Sequence, residues 1–189
     1  MKYSKLLRVW HWLNAIAIFA LLGTFFLRKT FLSWRTNSEL IVQKLSEYDI
    51  TVTAEVAKVV AKTIRAPMWE WHIIFGYVLA SLILFRIYIF VKEGLSFKDT
   101  SSLHKMGVSS LYVIFYLLIV FMAISGITLH LGADIGISKE ILSSIKEIHE
   151  PVAWFFVVFV PLHIGGVIVA DLTQERGLVS KMISGNDDG

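Results

Sequence analysis

Four apolar runs constrain this chain more than any other feature. They span residues 9–27, 68–91, 106–129 and 151–170, and the third carries no charged side chain. Each is close to the length of about 20 residues that a helix needs to cross the hydrocarbon core of a bilayer. None alternates with period two, which argues against a membrane β-barrel. Composition agrees: 56% of the 189 residues are hydrophobic and 17% are charged, against roughly 45–50% and 25% in soluble domains. The reading is an all-α integral membrane four-helix bundle, a single domain over 1–189 with an extramembrane loop at 28–67. A soluble enzyme is excluded.

The first run follows Lys2, Lys5 and Arg8, as a secretion signal would. It is too long for a signal core, has no clean small-x-small cleavage site, and holds His11 and Asn14, so it reads as a retained helix. Within the long loop, Val56, Val59, Val60 and Ile64 recur at helical spacing opposite Lys58 and Lys62. That pattern predicts a short amphipathic helix on a membrane or partner surface. The connection 92–105 is short and polar, 130–148 offers one surface turn of helix, and the tail ends in a frayed NDDG. The net charge of +3 comes from cations that flank apolar runs. They anchor helices at lipid headgroups and form no nucleic-acid patch. They divide almost equally between the two sides, so charge does not orient the chain.

Cysteine is absent. That excludes disulfides, cysteine-held zinc, iron–sulfur clusters and covalently attached haem. A redox group would have to be held by the histidines, and intramembrane ionisable residues are functional candidates by default. His11, His72 and His163 lie within spans, and His149 sits at the entry to the fourth. His149 and His163 are 14 residues apart, so they share one helix face at two depths roughly 21 Å apart. Because successive spans reverse direction, His11 matches His163 in depth and His72 matches His149. Each pair supplies what a bis-histidine haem requires, two neutral imidazoles on opposite sides of one iron.

Other residues fit a macrocycle. Gly76, Gly126, Gly165 and Gly166 allow a flat ring near the backbone. Arg86, 14 residues after His72, shares its face at the depth of the other pair, where a haem propionate or quinone oxygen would balance its charge. Arg8 is a second propionate candidate. Pro161 predicts a kink near His163, whereas Pro151 reads as a helix-start residue. Trp10, Trp12, Trp69, Trp71 and Trp154 form an ordinary interfacial belt. Taken singly, an intramembrane histidine is more often an interhelical hydrogen-bond partner than a ligand, and each glycine a packing residue. The joint pattern of four depth-matched histidines overrides those readings. His104 and His130 remain unmatched and read as surface residues.

RVWHW at 8–12, His72-x-x-x-Gly76 with Arg86 ten residues on, Ser125-Gly126, the His149/His163 interval and the ending ERGLVSKMISG together resemble a known superfamily. It comprises bacterial cytochrome b561 and the b-type cytochrome subunit of nickel–iron hydrogenases. The resemblance covers nearly the whole chain. It implies a multi-pass protein of the bacterial inner (cytoplasmic) membrane with cytoplasmic N- and C-termini and two non-covalent haem b groups. His11, His72, His149 and His163 match the haem-ligand positions. The resemblance further implies electron transfer between a quinone pool and a redox partner, a periplasmic redox protein or dehydrogenase subunit. The loop 28–67 is longer than in compact members, which favours a docked partner; a homodimer is also allowed. Asp171 stands where hydrogenase-type subunits can carry a further histidine. Arg86 and Tyr88 are the only residues offered for a quinone site.

The leading expectation is therefore a di-haem electron-transfer subunit of a respiratory chain, with no catalytic residue of its own. One rival is a stand-alone superoxide/quinone oxidoreductase. Another is a metal-ion transporter, which predicts carboxylates beside mid-membrane histidines; the spans offer only Glu70, near an end.

Overall fold

The computed structural model describes residues 3–94, 103–173 and 176–185, with side chains in the second stretch from Met106 onward. The loop residues 95–102, the side chain of His104, residues 174–175 and the NDDG tail lie outside the described residues. Among the described residues six helices follow in order: α1 Lys5–Lys29, α2 Trp34–Ser46, α3 Ala54–Glu93, α4 Leu103–Leu131, α5 Lys139–Thr173 and α6 Leu178–Ile183. No strand occurs among the described residues. Helices α1, α3, α4 and α5 are long and apolar enough to cross a membrane. The all-α class and the four membrane-length helices are those the sequence predicts.

The helix ends depart from the sequence reading. The amphipathic stretch around Val56–Ile64 is not a separate surface helix; it is continuous with the second span in a 40-residue α3 that contains Pro67. A proline inside a helix forfeits one backbone hydrogen bond and crowds the preceding turn. Two features sustain the N-terminal half: Ala57 and Ala61 are fully buried, and Lys58 and Lys62 lie over the ring of Trp34. Likewise α5 starts at Lys139, so Pro151 is an interior residue and not a helix start. Helix α2 was not predicted. It buries no residue.

The chain divides into two compact units, Ile18–Phe75 and the remainder, Met1–Ala17 with Gly76–Gly189. In the Ile18–Phe75 unit, Trp34 at the start of α2 is also covered by the Arg35 guanidinium, 5.0 Å from its ring centre. In the other unit, α4 packs on α5 and α5 on α6. An aromatic column links α4 to α5: Phe115 stacks on Phe159 at 4.8 Å, and Phe159 lies nearly parallel to His163 at 5.7 Å. Trp10 is buried and its Nε1 donates to the Leu82 carbonyl at 2.8 Å. It is thus an interior packing residue, unlike the exposed Trp12, Trp71 and Trp154 of the expected belt.

Helix α6 is tied to its unit at both ends. The Asp171 carboxylate accepts from the Val179 backbone amide at 3.0 Å, satisfying one of the orphan donors of a helix start. At the other end Trp12 Nε1 donates to the Met182 carbonyl and Arg8 Nη1 to the Ile183 carbonyl. Gly185 follows in the left-handed region with φ of 81°. A Cβ there would lie 2.7 Å from the Arg8 guanidinium carbon, so both the backbone twist and the close approach require glycine.

Candidate functional site

His11 and His163 come together within the Met1–Ala17/Gly76–Gly189 unit, with ring centres 6.2 Å apart and planes tilted by 58°. A metal–imidazole bond is about 2 Å and the ring nitrogen lies about 1 Å from the ring centre, so two imidazoles that held one metal ion between them would have ring centres roughly 6 Å apart. At this separation the two residues could hold a haem iron, which would supply one-electron chemistry there. Aromatic rings fix both imidazoles. Trp12 meets His11 edge-on at 5.4 Å, while Phe159 stacks on His163 and Tyr112 meets its edge at 6.3 Å.

Three buried polar atoms near this pair have no hydrogen-bond partner among the described residues: the acceptor Asn14 Oδ1, one turn after His11, and two donors, Arg8 Nε, one turn before His11, and Ser109 Oγ, one turn before Tyr112. Buried polar groups are nearly always satisfied, so the two donors suit the acidic edge of a bound group. Arg86 is half-buried; its Nε donates to the Tyr116 hydroxyl at 3.3 Å, and its guanidinium lies over Trp10 and Tyr116 at 5.3 and 5.8 Å. The ring faces hold the cation by their quadrupoles while its terminal nitrogens stay available to an anion. A Cβ at Gly76, Gly165 or Gly166 would meet nothing within 4 Å, leaving open volume beside the helices.

His149 belongs to the same unit. Its Nδ1 lies 2.7 Å from Ser125 Oγ, and its Cε1 would lie 3.4 Å from a Cβ at Gly126. Ser125-Gly126 is thus the contact surface of this histidine. His72 lies in the Ile18–Phe75 unit, with Nδ1 2.7 Å from Thr24 Oγ1. Trp69 meets the His72 ring edge at 5.5 Å and is itself covered by Arg28 and Arg65. The Arg65 Nε is buried without a hydrogen-bond partner among the described residues. His130 is exposed and touches Tyr77, as expected of a surface residue.

Sequence reasoning missed Thr24, Arg28 and Arg65. Intramembrane hydroxyls usually bond back to their own helix, and terminal arginines are ordinary anchors, so neither carries a signal until the fold shows what it touches. Among the described residues, no group of three or more His, Cys, Asp or Glu comes together. A chelated divalent ion, as in the transporter reading, finds no support there, whereas a haem could be held by a pair of histidines.

Four membrane-length helices and the approach of His11 and His163 are compatible with the class of transmembrane cytochromes. The chain belongs to a particular family of that class: residues 2–185 match the model of prokaryotic cytochrome b561. It is accordingly a multi-pass membrane b-type cytochrome of electron transfer that binds haem b. No curated protein and no solved structure matches it.

Proposed function

We propose that the chain holds two haem b groups, one between His11 and His163 and one between His72 and His149, and carries electrons between a quinone pool and a redox partner across the bacterial inner membrane. The 6.2 Å approach of His11 and His163 is the observation that carries the reading. The second pair rests on the depth match along antiparallel spans. When bound, the haems would supply one-electron carriage, and the protein would set their spacing and environment. Arg8 and Arg86 would hold the propionates of the first haem, and Arg28 and Arg65 those of the second; Gly76 leaves room for a ring. N- and C-termini face the cytoplasm in this reading.

The extended 28–67 segment supports a partner subunit over a self-sufficient enzyme, because α2 and the cations around Trp34 give it a folded polar surface. Turnover of superoxide or quinol by the purified chain alone would favour the stand-alone alternative. The deciding test is a reduced-minus-oxidised visible spectrum of the purified protein with haem measured as pyridine haemochrome. Two b-type haems per chain are expected. A folded, colourless protein made with ample haem would overturn the reading.

A further inference from the structure

We propose that Thr24 and Ser125 are positioning residues that hold His72 and His149 as the Nδ1–H tautomer and so reserve Nε2 of each for iron. The proposal rests on the haem reading above.

The argument starts from the single hydrogen of each hydroxyl. Thr24 Oγ1 lies 2.7 Å from the Leu21 carbonyl oxygen and 2.7 Å from His72 Nδ1. Ser125 Oγ lies 2.6 Å from the Phe121 carbonyl, 3.3 Å from that of Met122 and 2.7 Å from His149 Nδ1. A carbonyl oxygen has no hydrogen to give, so at 2.6–2.7 Å the hydroxyl must donate to it; otherwise two oxygen lone pairs would face each other. The hydroxyl oxygen is then left to accept, and the ring nitrogen has to donate. A neutral imidazole that donates through Nδ1 is bare at Nε2, the form that ligates a metal. Donation to the carbonyl also makes each hydroxyl a better acceptor for the ring N–H, which raises the basicity of the ligating nitrogen.

The arrangement occurs twice, once in each compact unit and on different helices: Thr24 on α1 with His72 on α3, and Ser125 on α4 with His149 on α5. An ordinary interhelical hydrogen bond would hold the helices equally well in either tautomer, so its loss would move only stability. The tautomer reading predicts more. A more basic axial ligand favours ferric iron, and removing the hydroxyl should raise the midpoint potential of the haem concerned and weaken its binding by about ten- to a hundredfold.

The test uses full-length holoprotein in detergent or nanodiscs, comparing wild type with Thr24→Val, which keeps the side-chain shape, and with Ser125→Ala. Haem content, redox titration of the visible bands and the ferric electron paramagnetic resonance spectrum are the readouts. One haem should move to higher potential with altered g values while the other stays put. Thr24→Ser and Ser125→Thr should restore wild-type behaviour, including haem lost in the first two variants. If both variants move the same haem, the His72–His149 pairing is supported as well; movement of different haems would refute that pairing but keep the hydroxyl role. Unchanged potentials and g values with both haems bound, or equal shifts of both haems, would overturn the proposal. A wild type that binds no haem would instead overturn the cytochrome reading, which keeps the two failures apart.

Discussion

His11–His163 and His72/His149 are two solutions to one problem, that of fixing an imidazole inside a membrane. The first is built from aromatic surface: Trp12, Phe159 and Tyr112 pack the rings, and Arg86 lies against both Trp10 and Tyr116. The second relies on hydroxyls, with Thr24 on His72 and Ser125 on His149. Packing restrains a ring's position but leaves its tautomer open, whereas a hydrogen bond from a committed hydroxyl selects the tautomer too. The two regions should therefore answer differently to mutation.

The largest effect is expected at the ligands. His163→Ala should leave one haem per chain by pyridine haemochrome, the survivor being the haem that responds to Ser125→Ala. Loss of both haems would show that the sites do not load independently. Next comes Gly126→Leu. A Cβ there already reaches 3.4 Å from the His149 ring, so a branched side chain must displace it. Visible and paramagnetic resonance spectra should show one low-spin haem lost and the aromatic-packed site intact.

A smaller, opposite-signed effect should follow Arg86→Gln. A nearby cation favours the reduced, more negative haem, so its removal should lower one midpoint potential while the hydroxyl variants raise the other. A redox titration in which Arg86→Gln and Ser125→Ala move the same component would merge the two regions. The mildest change is Trp10→Phe, which removes one hydrogen bond to the Leu82 carbonyl. Interhelical hydrogen bonds in membranes are worth about 0.6 kcal/mol, so thermal unfolding should shift by a few degrees at most with haem content unchanged.

Much of this was legible in the sequence. The four spans follow from the length of the apolar runs, and the His11–His163 match from helical periodicity with alternating span direction. Both depend only on backbone geometry, which is nearly the same in every helix. Helix boundaries were less legible, because Pro67 and Pro151 lie inside helices that continue through them. A proline is a local signal to stop; packing at Ala57, Ala61 and Trp34 outweighs it in α3. The roles of Arg8 and Trp12 in capping α6 were hidden for the same reason, since about 170 residues separate the partners.

The sequence by itself thus determined that this protein is helical and membrane-spanning, that it lacks thiol chemistry, and which histidines are candidates for iron. These follow from composition and periodicity, quantities summed along the chain. Only the tertiary structure decided that Trp10 is buried, that Arg86 rests on two aromatic faces, and that Thr24 and Ser125 each meet a ring nitrogen. Such contacts join different helices, and their 2.7 Å distances depend on how side chains pack in three dimensions, which no spacing along one helix encodes.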